Sequence, residues 1–290
     1  MTIQLSYRQL LAQLYEIYDS REAANIADWV IEHVTGQRKI ERIVYKDLPV
    51  SAQQQQTLQS ITIELLQHKP VQYVLKEAWF CNMKLYVNEN VLIPRPETEE
   101  LVEWVGEAVS GFRLQVSDDR NVSVLDIGTG SGCIAITLKK KTRNTDIYAI
   151  DISTEALKVA QQNAAQQNLE INYLQCDFLD KSKLEHLPVF DIIVSNPPYI
   201  QKSEEQTMAP NVIKYEPHLA LFVPDEDALK FYKAIADFAE THLQLEGAIF
   251  VEINEALGQQ VTNVFKDSGF KNVVLKKDRQ GKDRMIKASR

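Results

Sequence analysis

The residues Asn196-Pro197-Pro198-Tyr199 follow directly on the apolar run Phe190-Asp191-Ile192-Ile193-Val194-Ser195. Such a run reads as a buried strand, and open α/β sheets hold their ligands beyond the carboxyl ends of their strands. An amide, a proline carbonyl and an aromatic ring at that place suit a planar NH2 group. The side-chain oxygen of Asn196 and the backbone oxygen of Pro197 can each accept one N–H, Pro198 fixes the backbone that aims the carbonyl, and Tyr199 can pack on the flat face beside them. The target is then an amide or an exocyclic amine. By itself the tetrapeptide also suits an ordinary strand-to-loop turn, because Asn and Pro favour turns for local reasons.

A second motif bears on the same chemistry. Val124 to Ile136 runs from a short apolar strand through Asp126-Ile127-Gly128-Thr129-Gly130-Ser131-Gly132 into an apolar helix start. Gly128, Gly130 and Gly132 let the backbone turn sharply and approach a ligand closely. A dinucleotide fingerprint would put its third glycine at position 133, where this chain has Cys133. Gly-x-Gly-x-Gly behind an aspartate fits S-adenosylmethionine better, since that cofactor has no pyrophosphate to seat and carries an ammonium and a sulfonium that Asp126 can answer. Thr129 and Ser131 complete this cofactor turn. The next strand, Asp146 to Asp151, ends in a carboxylate 19 positions after Gly132. Asp151 can accept both ribose hydroxyl protons, and its neighbour Ile152 joins the cofactor set. A third strand, Ile171 to Cys176, leads to Asp177 and Phe178, which could hold adenine by its amino group and its face. Asn196 borders the cofactor as well as the target.

The elements that must position these residues are legible from periodicity. From Ser6 to about Pro70 the pattern is helical: Ser6-x-x-Gln9 and Ser51-x-x-Gln54 read as capping boxes, and Gly36 follows Ile26, Val30, Ile31 and Val34 on one face. Trp79, Phe80, Leu85, Tyr86 and Val87 form two short β-like runs around Asn82. Beyond Pro96 strands and helices alternate, which calls for a doubly wound parallel sheet of α/β class. The expected division is a helical domain over 1–75, a hairpin linker over 76–93 and a catalytic domain over 94–290. Helices are expected at Thr154–Gln167, Asp225–His242 and Ala256–Phe265, with strands at Ala248–Ile253, Lys271–Lys277 and Arg284–Ala288. The long connection from Asn196 to Pro224 is expected to be an ordered wall of the substrate channel.

Composition narrows the partner class. At 290 residues and 44% hydrophobic content the chain can bury a sizeable core, and its net charge of −8 is unfavourable for gripping a phosphate backbone. Arg279 to Arg290 is a local basic run, either a solubilising edge or a patch for an RNA-bound partner. No apolar run approaches the roughly 20 residues of a membrane helix, and no secretory segment appears, so a cytoplasmic protein without membrane contact is expected. The cysteines Cys81, Cys133 and Cys176 are odd in number and widely spaced, and read as reduced core residues. The five histidines show no ligand spacing, and no metal site is expected.

Taken together, these motifs resemble the HemK/PrmC family, S-adenosylmethionine-dependent methyltransferases that modify a glutamine side chain in peptide-chain release factors. The resemblance spans nearly the whole chain and adds Pro70-Val71-Gln72-Tyr73, Leu92-Ile93-Pro94-Arg95-Pro96-Glu97-Thr98-Glu99, Tyr215-Glu216-Pro217 and Gly281-Lys282-Asp283-Arg284. It implies a Rossmann-like methyltransferase sheet ending in an antiparallel hairpin, with a small all-α domain that recognises the protein substrate. It further implies methyl transfer to the amide nitrogen of the glutamine in the Gly-Gly-Gln loop of class 1 release factors, with S-adenosylhomocysteine as product. Asn196, Pro197, Pro198 and Tyr199 would be both catalytic and substrate-binding, joined by Arg95 and Glu97. A monomer without direct nucleic-acid contact is expected. The chain departs from the pattern at Lys76 and Asn254, where glycine is common, and at Lys282, where arginine is. The tetrapeptide is shared with adenine-N6 methyltransferases of DNA or RNA, which remain an alternative. A nucleotide-dependent oxidoreductase or a non-catalytic nucleotide-binding module on the same fold is a more distant one.

Overall fold

The computed structural model describes residues 1–115, 120–142 and 144–290, with backbone alone for 113–115. The chain falls into two compact units, one of residues 1–77 together with 209–215, the other of residues 78–208 and 216–290.

The first unit is helical: α1 (Ile3–Leu14), α2 (Ser20–Thr35), α3 (Lys39–Val44), α4 (Ala52–Leu66) and α5 (Val71–Leu75). Its core gathers Leu10, Leu14, Ile26, Val30, Ile31, Ile61 and Leu65, the apolar stripes of α1, α2 and α4. Ser51 and Gln54 form the expected capping box, and Gly36 closes α2 in the left-handed conformation at φ 70°. The other expected box is displaced. Thr2, not Ser6, caps α1, and Ser6 lies inside the helix with its hydroxyl donating to Thr2 O at 3.0 Å. Burial of Ile3 draws the helix start back by one turn. Lys76 has φ 56° at the end of α5, which explains why glycine is the common residue there.

The second unit opens with a hairpin of β1 (Ala78–Phe80) and β2 (Met83–Leu85), turned through Cys81 and Asn82, both at positive φ. There follow α6 (Pro96–Gln115), β3 (Val122–Ile127), α7 (Cys133–Lys141), β4 (Thr145–Asp151), α8 (Thr154–Gln166), β5 (Asn172–Gln175) and β6 (Phe190–Ser195). The connection after Asn196 is ordered: it contains β7 (Ile200–Gln201), α9 (Pro210–Tyr215), α10 (His218–Leu221) and β8 (Phe222–Val223). Of these, α9 belongs to the first unit, where Tyr215 donates its hydroxyl to Gln67 O at 2.9 Å. The chain closes with α11 (Lys230–His242), β9 (Leu243–Glu252), α12 (Gly258–Asp267), β10 (Asn272–Lys277) and β11 (Asp283–Ser289).

Seven strands form one sheet in the order β10-β11-β9-β6-β3-β4-β5. The five from β9 to β5 are parallel, and β11 and β10 add an antiparallel edge, as the resemblance implied. Strands buried on both faces are apolar along most of their length. Alternate residues accordingly feed two cores: Leu125, Ile193, Ile249 and Val251 pack with α11 and α12, while Val124, Ile192, Val194 and Phe250 pack with α6 and α7. The winding reverses between β3 and β6, so a crevice opens beyond their carboxyl ends. The basic C-terminal run is largely satisfied internally: Arg279 pairs with Glu103, Arg284 with Asp278 and Lys282 with Glu255.

Candidate active site

Strand register puts the two motifs side by side. Ile127 pairs with both Ile150 and Ser195, so Gly128 and Asn196, the first residues beyond β3 and β6, lie in line with Asp151, the last residue of β4. Ser195 ties the strand ends together through its hydroxyl, which donates to Ile127 O at 2.8 Å. On the far side of β6, Ser195 pairs with Val251, which brings Glu252 beside Asn196.

The glycine turn is built around two carboxylates. Asp126, fully buried, accepts from the Thr129 hydroxyl at 2.6 Å and from Ala135 N at 3.3 Å, so it holds both the turn and the first turn of α7. Asp151 accepts from Gly130 N and from Ser153 N, each at 2.9 Å. Gly128, Gly130 and Gly132 all have positive φ. At Gly132 a Cβ would also lie 2.9 Å from Ile136 Cδ1 and 3.1 Å from Ala160 Cβ, so this glycine serves helix packing. At Gly128 a Cβ would meet nothing within 4 Å, so the turn faces open space there. Ser131 is buried, and its carbonyl accepts from Asn163 Nδ2 at 2.9 Å. Ile152, 43% exposed, offers an apolar surface beside Asp151.

At the third strand end the side chains of Asp177 and Phe178 make contacts within the chain. Asp177 turns back to accept from Leu179 N at 3.0 Å. The Phe178 ring is buried in the core, edge-on to Phe238 with centroids 5.4 Å apart. Burying an aromatic ring is strongly favourable, so most of the Phe178 ring is turned into the core.

Around the tetrapeptide the structure brings in residues whose roles the motifs alone did not reveal. Asn196 Nδ2 donates to Thr98 Oγ1 at 3.1 Å, Thr98 donates to Glu252 Oε2 at 2.7 Å, and the Tyr199 hydroxyl donates to Glu252 Oε1 at 2.9 Å. The polar end of Tyr199 therefore points inward to a buried carboxylate. Arg95 Nη2 donates to Glu216 Oε1 at 2.6 Å, and the other oxygen of Glu216 accepts from Ile93 N at 3.2 Å, which fixes the segment before α6. Pro197 is buried and Pro198 half-buried. Glu97 is half-buried, and its negative charge acts on Glu252.

Comparison with known proteins gives this geometry its family. The PrmC N-terminal domain family matches residues 7–75 and the methyltransferase small domain family matches residues 111–219. The release factor glutamine methyltransferase of Flavobacterium psychrophilum is 41% identical over 98% of both chains. The chain belongs to the release factor glutamine methyltransferase family. The Bacteroides thetaiotaomicron member is 37% identical over 96% of both chains, and that of Streptococcus pneumoniae 43% identical over 86% of this chain and 88% of its own. Among solved structures, the hMettl16 catalytic domain in complex with a MAT2A 3′UTR hairpin superposes with TM-score 0.54 at 14% identity, covering 84% of each chain. The Thermus thermophilus 16S rRNA N2 G1207 methyltransferase gives 0.52 at 17% identity, covering 74% of this chain and 49% of its own. Those two likenesses concern the fold.

The family's cofactor, S-adenosylmethionine, fits the residues present. Asp126 Oδ1 is buried without a hydrogen-bond partner, the arrangement expected of an acceptor kept for a ligand. Burial pushes the Asp126 carboxyl up to about 7 against its bonds from Thr129 and Ala135, and the charge of Asp151 adds to the rise. Asp151 is also raised, chiefly by burial, although Ser153 and Gly130 oppose it. Two carboxylates held uneasily as anions beside an open glycine turn suit a cationic ligand. Each Asp151 oxygen accepts one backbone N–H and keeps acceptor capacity for a ribose hydroxyl. Among the described residues no group of three or more His, Cys, Asp or Glu side chains is placed to hold a metal ion, and no helix is long and apolar enough to cross a membrane.

The roles of Thr98, Glu216 and Glu252 went unassigned from sequence, although all three lie within runs that carried the resemblance or a departure from it. Asn163 had no such signal. It is fully buried, donating to Tyr86 O and Ser131 O and accepting from Tyr86 N, and it braces the glycine turn from 32 residues away in sequence.

Proposed function

We propose that this chain transfers the methyl group of S-adenosylmethionine to the side-chain amide nitrogen of a glutamine in class 1 peptide-chain release factors, within their Gly-Gly-Gln loop. The observation that carries the chemistry is the orientation of Asn196 next to the glycine turn. Its NH2 is committed to Thr98, which leaves Oδ1 as an acceptor at the end of β6. The substrate class rests on the family, whose named members share more than a third of their residues with this chain along nearly its full length.

When bound, the cofactor supplies a methyl carbon made electrophilic by a sulfonium. Asp126 and the glycine turn would hold its cationic part and Asp151 its ribose, with Ile152 against the adenine. The amide nitrogen is a poor nucleophile because its lone pair is shared with the carbonyl. Asn196 Oδ1 and the Pro197 carbonyl would accept its two N–H groups, turn the lone pair toward the methyl and stabilise positive charge as it develops. The amide loses its proton after attack, when it is strongly acidic, so no strong base need stand ready. Arg95, bound to Glu216, and Glu97 would line the substrate side; the helical unit would recognise the folded release factor. The reaction would take place in the cytoplasm, and a net charge of −8 agrees with a protein substrate in place of a nucleic acid.

Purified protein should move a labelled methyl from S-adenosylmethionine to intact release factor, and replacing the loop glutamine by glutamate should abolish incorporation. Methylation of adenine in DNA or RNA in preference to the release factor would overturn the substrate assignment.

A further inference from the structure

Glu252 is fully buried in the second unit and its side-chain oxygens touch nothing that reacts. One oxygen takes the Thr98 hydroxyl proton at 2.7 Å and the other takes that of Tyr199 at 2.9 Å. Its backbone carbonyl accepts the Tyr232 hydroxyl at 3.2 Å. Ionised, with a hydroxyl donor on each oxygen, the Glu252 carboxylate can only accept. The single proton of the Thr98 hydroxyl therefore points at Glu252, and the Thr98 oxygen can only accept on its other side. The atom of Asn196 that faces it at 3.1 Å must then be Nδ2, and Oδ1 must face the other way. Reverse the direction of the Thr98 hydroxyl and the amide of Asn196 has reason to turn over, presenting two donors where the substrate amide needs an acceptor.

We infer that Thr98 and Glu252 are positioning residues whose hydrogen-bond chain sets the polarity of the Asn196 amide, so that Oδ1 faces the substrate N–H. The inference rests on the proposed role of Asn196 as that acceptor. The chain links three separate places in the sequence: the first turn of α6, the end of β6 and the end of β9. Burial of Thr98 and Glu252 is what makes it directional, because water cannot readily replace the hydrogen bond between them. Tyr199 contributes through its hydroxyl, filling the second oxygen of Glu252 so that this oxygen does not compete for Thr98.

The test is a comparison of conservative variants in the full chain, with steady-state methylation of intact release factor and calorimetric S-adenosylmethionine binding. Thr98→Val keeps the shape and removes the hydroxyl; kcat should fall about 10- to 100-fold, while cofactor Kd stays within about twofold. Thr98→Ser keeps the hydroxyl and should restore kcat to within about threefold of the native value. Glu252→Gln can present an NH2 to Thr98, which reverses the chain, and should fall with Thr98→Val. Should Glu252→Gln fail to fold, the Thr98 pair decides. On an Asn196→Ala background Thr98→Val should cost less than about twofold more, since its effect passes through Asn196. If Asn196→Ala turns over normally, the acceptor role of Asn196 is lost and this inference with it. If Asn196→Ala is crippled but Thr98→Val matches Thr98→Ser, the acceptor role stands and the positioning chain is overturned.

Discussion

Two buried acids lie at the carboxyl edge of the same sheet, and they are finished differently. Asp126 accepts from Thr129 and Ala135 through one oxygen and leaves the other without a partner. Glu252 has both oxygens taken by hydroxyl donors, Thr98 and Tyr199. Burial raises the proton affinity of each, but only Asp126 keeps an unmet acceptor. The lesson is that a buried carboxylate does not declare its job by burial alone. An open oxygen points to a ligand, while a closed one works through the groups it holds.

The largest expected effect separates the two ends of the site. Asn196→Ala removes the acceptor that the Glu252 side holds in place, and should lower kcat for release-factor methylation by about 10²–10³, with cofactor affinity and thermal stability little changed. A matching loss of cofactor affinity would merge the two regions into one and break the distinction.

On the Asp126 side the expected loss is in binding. Asp151→Ala should weaken S-adenosylmethionine by about 1.5–3 kcal/mol, the scale of hydrogen bonds to a charged group, and part of that loss would come from releasing Gly130. Calorimetry on a folded variant measures it; unchanged affinity would remove Asp151 from the ribose site.

A pH experiment sharpens the contrast further. Asp126 titrates near 7 when folded and near 4 when unfolded, so its folded form is favoured when protonated. The stability it contributes is complete below pH 4 and is lost as pH rises through 7, by roughly 4 kcal/mol at most. Asp126→Asn cannot ionise. In cofactor-free protein its denaturation midpoint should therefore gain on that of the wild type between pH 5 and pH 8. Parallel midpoint curves for the two proteins would show that Asp126 does not change its charge over that range.

The smallest expected effect is the most discriminating for Glu252. The stabilisation conferred by saturating S-adenosylmethionine should be the same in Thr98→Val as in the wild type, within about 0.5 kcal/mol. A clear reduction would mean that the Thr98–Glu252 chain reaches the cofactor as well as the tetrapeptide.

The parallel sheet, its two motifs and the helical first unit were legible because each rests on local pattern: apolar strands, glycines spaced for a turn, the 3.6-residue stripe of α2 and the capping box of α4. The expected elements agree with the observed ones to within a few residues, with exceptions that have causes. The strand expected from Ala248 begins at Leu243, because Leu243 pairs across to Phe190. The helix expected from Asp225 is a short 3-10 turn there, and the α-helix starts at Lys230. Phe178 was read from its place after a strand, but which way an aromatic ring turns at a strand end is decided by the neighbour that buries it, here Phe238.

The sequence by itself determined the chemistry on offer: an amide acceptor after one strand, a glycine turn between two acids after another, and the family whose motifs these are. Only the tertiary structure decided how those groups are aimed. Hydrogen-bond direction depends on partners far apart in the chain, as Thr98, Asn196 and Glu252 are, and no periodicity or spacing encodes it. The unpaired oxygen of Asp126 and the paired oxygens of Glu252 are the same functional group in sequence; burial and the donors within reach make one a place for a ligand and the other a support.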